Sequence, residues 1–183
     1  MVDTMTIGAG MSRSAQRGRA LRAGLVMVPG LLAAGGLVAR LSGSTTDNGW
    51  FQSLLLPPVQ PPGPVFGLAW GLLYTLLGVA GAIIWAQPAS GLRTRALWLF
   101  GLGLLLNFSW SPVFFAAHLI MPALAIILLM LGLAVWTMRL FAPMSRVAAG
   151  LMLPYIAWLI FASLLNAWIW WLNPAASVLQ TGV

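Results

Sequence analysis

Four stretches of this sequence carry no Asp, Glu, Lys or Arg: Ala23–Ala39, Asn48–Leu92, Ala96–Met138 and Val147 to the end. A helix needs about 20 mostly apolar residues to cross a bilayer. The second stretch is long enough for a loop and one span, and the third for two spans joined by a hairpin. The pattern predicts five membrane-spanning helices near 21–41, 65–87, 95–117, 120–141 and 147–172. The expected fold is all-α, an integral membrane bundle over residues 21–173. Residues 1–20 read as a disordered Arg-rich extension and 174–183 as a tail. The Arg-rich leader and Leu25–Ala39 also have the outline of a signal peptide with Ala39 as cleavage position; retention as the first span is the favoured reading.

Small residues recur at helical spacing within these runs. Gly67, Gly71 and Thr75 form a stripe continued by Gly78 and Ala82, and Gly30–Ala34 and Gly35–Ala39 do the same on the first helix. Such stripes let helix backbones approach in lipid. One connection is long: 42–64 holds the pair Trp50-Phe51 and then Pro57, Pro58, Pro61, Pro62 and Pro64. Proline fixes φ and lacks an N–H, so an extended polyproline-like run is expected, with Pro64 in the first turn of the next helix. It reads equally as a stiff connector or as part of a site. Pro112 and Pro154 fall inside predicted spans and should bend them.

Composition agrees with this pattern. The 183 residues are 61% hydrophobic and 6% charged, against about 25% charged in soluble domains. The net charge of +7 comes from arginines at span ends. Arg13, Arg17, Arg19, Arg22, Arg93, Arg95, Arg139 and Arg146 fall on one side of five spans and Arg40 on the other. This bias predicts a cytoplasmic N-terminus, and the charge sets topology rather than recognising nucleic acid.

Reactive groups are few. Asp3 and Asp47 are the only carboxylates, His118 is the only histidine, and there is no cysteine. Paired-carboxylate catalysis, a carboxylate metal cage and thiolate chemistry are thereby excluded, and no metal or cofactor is expected. His118 reads as a turn residue of the hairpin before the fourth span. Tryptophan is abundant, with ten residues. Trp85, Trp98, Trp136, Trp168, Trp170 and Trp171 lie near span ends, where an interfacial belt is expected. Trp70, Trp110 and Trp158 lie deeper. Asn107, Trp110, Ser111 and Phe114 share one helical face; so do Tyr155, Trp158, Ala162 and Asn166, and so do Phe66, Trp70, Tyr74 and Leu77. Asn107 and Asn166 should point inward, because polar groups in lipid need partners. These faces either glue helices together or line a pocket for a flat, mostly apolar ligand.

From Leu25 to Asn173 the chain resembles the translocator protein / tryptophan-rich sensory protein family (TspO/MBR, formerly the peripheral-type benzodiazepine receptors). The resemblance rests on Trp50-Phe51, on the loop prolines leading into Phe66, Trp70 and Tyr74, on NFSWSPVFF (107–115) and on PYIAWLIFASLLNAWIWWLN (154–173). It implies a five-helix bundle, commonly a homodimer in membrane lipid, binding porphyrins and similar flat hydrophobic ligands in a sensory or regulatory role. The implied ligand positions are Trp70, Asn107, Trp110, Tyr155, Trp158 and Ala162, under a lid containing Trp50, Phe51, Pro57, Pro61 and Pro62. Light-dependent breakdown of protoporphyrin IX, using Trp70 and Trp158, is the alternative it implies, and transport of small hydrophobic ligands is a third. Leu56, Val59 and Gly71 stand where the family has Lys, Trp and Thr. The end of the fifth span lacks the weak cholesterol-associated pattern of a Tyr followed by a basic residue.

Overall fold

The computed structural model of the protein describes residues 12–44, 48–174 and 176. Its first helix, α1, runs Arg13–Leu41 and begins where the Ser12 hydroxyl accepts the Ala15 N–H at 3.3 Å. Residues 13–20, expected to be disordered, are instead the first two turns of this helix. They are rich in good helix formers, and the Gln16 side chain donates to Gln87 Oε1 at 2.7 Å. The rest of the expected extension, residues 1–11, lies outside the described residues, as does all of the tail except 174 and 176.

The connection after α1 contains a short helix that hydrophobic periodicity does not reveal, α2 (Gly49–Ser53). Asn48 starts it by accepting the Phe51 N–H at 2.9 Å, the standard exchange at a helix N-cap. The proline run is not continuously extended as expected. The Gln60 N–H donates to the Pro57 carbonyl at 2.9 Å and closes a turn, because Val59 and Gln60 supply N–H groups that the prolines lack. Pro58 sits second in that turn, where its fixed φ is favoured.

Next come α3 (Gly63–Trp85), α4 (Gly91–Ser111), α5 (Ile120–Phe141), α6 (Arg146–Leu151) and α7 (Leu153–Leu172). Pro64 lies in the first turn of α3 as expected, although the helix begins two residues before position 65. Helix α4 starts at Gly91 rather than 95, because Ser90 caps it through the Arg93 N–H at 3.1 Å. Pro112 opens a π-helical turn, Pro112–Ala116, that ends the third span. His118 then turns the chain with a φ of +60°. The kink expected inside the fifth span is a break at Met152. It puts Pro154 in the first turn of α7, where a missing N–H costs nothing.

Among the described residues, five helical units are long and apolar enough to cross a membrane: α1, α3, α4 with its π turn, α5, and α6 with α7. The larger core packs Leu77, Ile84, Phe100, Phe141, Met152 and Leu159. A smaller one gathers Leu54, Phe114, Ile120 and Ile169 below α2. Helix α1 packs mainly along α3 and buries only Gly35 fully.

The glycine stripe of α3 divides in two. A Cβ at Gly78 would lie 2.9 Å from Val28 Cα, so α1 and α3 touch backbone to backbone there. A Cβ at Gly67 or Gly71 would meet nothing within 4 Å. The same spacing therefore serves close packing at the lower end and leaves open space at the upper end.

Candidate functional site

The first half of α3 and the middle of the fifth span carry the deeper aromatics toward each other. Trp70 and Trp158 meet nearly edge to face, ring centroids 6.2 Å apart, and Phe66 lies 5.6 Å from Trp158. The π turn brings a second group. Trp110 stacks on Phe114 at 5.1 Å and meets Phe115 edge-on at 5.7 Å. The extra residue of a π turn rotates the downstream side chains relative to α-helical phase, so both Phe114 and Phe115 are turned inward and buried.

These rings, with Phe51, Gln60, Ile127, Ala162, Leu165 and Asn166, enclose a chamber under the loop. Its free volume is about 40 Å³, room for only a few waters. No charged residue lines it. Four polar atoms belonging to its lining residues are nevertheless buried without a hydrogen-bond partner: Trp110 Nε1, Trp158 Nε1, Gln60 Oε1 and Asn166 Oδ1. The orientation of Asn166 is fixed on its other side, where Nδ2 donates to the Ile120 carbonyl at 3.0 Å. Buried polar atoms in folded proteins are rarely left unpaired. Two donors and two acceptors of the lining residues are thus left without a protein partner.

Of the implied ligand positions, Trp70, Trp110, Trp158 and Ala162 line this chamber, as do Phe66, Phe114 and Asn166 from the same faces and Phe51 from the lid. Asn107 and Tyr155 do not. The Tyr74 hydroxyl donates to Asn107 Oδ1 at 2.7 Å, and Asn107 Nδ2 donates to the Tyr155 hydroxyl at 3.2 Å. This chain of bonds ties α3, α4 and α7 together beside the chamber and leaves Asn107 satisfied by protein. Gln60 and Phe115 are lining residues that sequence reasoning does not place there. The lone amide among five prolines is the available signal for Gln60.

The loop is held over the chamber by several contacts. Trp50 stacks on His118 at 4.4 Å, and Phe51 packs on Phe115 at 5.3 Å. Pro57 is buried, while Pro61 and Pro62 roof a second space of about 410 Å³ bounded also by Phe51, Gln60 and Phe66. At the far end of α7, Asn173 Oδ1 accepts the Leu55 N–H at 2.9 Å and its Nδ2 donates to the Leu55 carbonyl at 2.9 Å. One side chain thus takes up both backbone polar groups of the residue between α2 and the prolines.

Comparison with known proteins identifies relatives of the chain. Residues 25–172 match the family model described as the TspO/MBR family. The human Translocator protein is 36% identical over 124 residues, 66% of this chain and 73% of that protein. The Tryptophan-rich protein TspO of Chlorobaculum tepidum is 33% identical over 129 residues, 68% of this chain and 80% of its own. Protein CrtK of Rhodobacter capsulatus is 30% identical over 131 residues, 70% and 81% of the two chains.

Proposed function

The chain belongs to the TspO/MBR family of multi-pass membrane proteins, and on that premise we propose that it binds porphyrins and similar flat hydrophobic ligands in the aromatic chamber, in a sensory or regulatory role. The observation that carries this reading is the set of unpaired polar atoms around a lining of rings. A porphyrin offers a broad apolar face for the indoles and phenyls, with polar atoms at its centre and edge for the indole N–H and amide groups. The contracted chamber implies that binding selects a state in which Trp70, Trp158 and Phe66 have moved apart. With no carboxylate, thiol or histidine lining the chamber, acid–base and thiol chemistry are not available to it, and light-dependent porphyrin breakdown at the indoles of Trp70 and Trp158 is the alternative reading. In purified protein, tryptophan fluorescence should quench saturably on titration with protoporphyrin IX, and a non-fluorescent metalloporphyrin should displace the bound protoporphyrin and lower the anisotropy of its emission. Quenching that rises linearly without saturation would sink the proposal.

We further propose that α1 begins on the cytoplasmic side, from the placement of the eight arginines. The absence of cysteine allows a direct test. With a membrane-impermeant maleimide on intact cells, Val59→Cys in the loop should label, and Ala89→Cys between α3 and α4 should label only after lysis. The reverse pattern would invert the topology.

A further inference from the structure

Beside the chamber lies a larger space with no part in the binding proposed for the chamber. A cleft of about 340 Å³ runs between α1 and the upper half of α3, with Tyr74, Asn107 and Trp110 among its inner wall. Its outer rim carries the exposed residues Leu32, Gly36 and Gly67, on helices that cross the membrane. Phe66, Trp70 and Trp110 line both this cleft and the chamber. These three aromatic side chains are shared between the two linings.

Gly36, Gly67 and Gly71 of the cleft have no packing reason to be glycine, whereas Gly35, which also lines it, packs against the Tyr74 ring. A Cβ at Gly36, Gly67 or Gly71 meets nothing within 4 Å, whereas at Gly35, Gly78 and Gly81 it would collide. Glycine inside a helix costs roughly 1 kcal/mol relative to alanine. Three such positions facing one void keep that void open.

We propose that the chamber's ligand arrives sideways from the lipid through this cleft, and that Phe66 and Trp70 are the rings that swing to admit it. A flat apolar molecule partitions into the bilayer before it meets the protein, and the cleft opens where that molecule already is. The path beneath the loop is the rival. It holds the space of about 410 Å³ under Pro61 and Pro62, which shares Phe51, Gln60, Phe66 and Phe115 with the chamber, but the Trp50–His118 stack, Phe51 on Phe115 and the Asn173–Leu55 pair of hydrogen bonds hold the loop down there. Sideways passage breaks none of these. The inference rests on the chamber being the ligand site, and the test separates the two claims.

Full-length protein in lipid nanodiscs is mixed with protoporphyrin IX in stopped flow, and release is followed by adding an excess of protein-free vesicles. Gly67→Leu and Gly71→Leu fill the cleft without a steric collision at Cβ; Gly132→Leu, an exposed open-space glycine of α5, is the control. Blocking a route slows arrival and release alike. Both rates should therefore fall by about tenfold or more in the cleft variants, with Kd unchanged and the control matching the unmodified protein. Unchanged rates would overturn the proposal, most clearly if Asn173→Ala, which loosens the loop, speeds both. A weakened Kd with faster release would also overturn it, making the cleft a binding surface rather than a route. If the unmodified protein shows no saturable binding, the chamber assignment itself fails and the route with it.

Discussion

Replacing Gly78 with leucine is expected to destabilise the bundle by about 3 kcal/mol or more, the upper range for overpacking a tight contact. In a domain of this size that corresponds to a midpoint about 10 °C lower. The cause is local. Val28 Cγ2, Cα and N would lie 2.8, 2.9 and 3.1 Å from the new Cβ. Two of these are backbone atoms, which cannot turn aside, so α1 must move. Its attachment is mainly this seam with α3, and a displaced α1 loses Gly35 against the Tyr74 ring as well. Gly71→Leu, two turns earlier on the same helix, meets open space and gains helix propensity, so it should be neutral or stabilising by up to about 1 kcal/mol. Thermal unfolding in detergent compares the pair. Equal midpoints for the two variants would mean that the α1–α3 seam is not closely packed.

The second large effect concerns binding. Removing both chamber indoles, as Trp70→Ala with Trp158→Ala, should weaken protoporphyrin IX binding by about 100-fold or more. Each is an aromatic anchor of the kind that contributes about 2 kcal/mol when buried against a ligand, and the loss need not be additive. The paired Trp→Phe variant keeps the rings and removes only the N–H donors. It should lose about tenfold, the scale of one or two hydrogen bonds. Reporting by loss of the porphyrin's own fluorescence anisotropy avoids relying on the tryptophans being removed. A double alanine variant that is folded, by circular dichroism and gel filtration, yet binds within threefold of the unmodified protein would falsify the site.

The five spans were legible because the signal for a membrane helix is a long uncharged run, which needs no knowledge of neighbours. The aromatic faces were legible for a related reason: residues at i, i+3, i+4 and i+7 share a side whatever they face. What escaped depends on three-dimensional approach. Gly71 and Gly78 sit in one stripe, and only the distance to α1 gives them opposite roles. Asn107 and Asn166 read alike as inward amides, yet Asn107 bonds Tyr74 and Tyr155 while Asn166 Oδ1 has no protein partner. Helix α2 is five residues long, too short for periodicity, and its one local sign is the capping Asn48. The inward turn of Phe115 required the π-helical geometry after Pro112, which a proline announces only as a disturbance. Among the positions where the resemblance implies a departure from the family, Gly71 lines the open cleft. Val59 is more than half exposed in the turn, and nothing else in the structure explains it.

The grip of Asn173 on Leu55 has a mechanical result. The segment from 56 to 62 is fastened at one end by that amide and at the other by the start of α3 at Gly63. Its interior is braced by prolines and by the Pro57–Gln60 turn. A strut pinned at both ends cannot lift away; it can only swing about the line through its pins, like the handle of a bucket. Movement of this segment would therefore sweep Gln60 across the top of the chamber as one rigid piece while α2 stays seated on its aromatic bed.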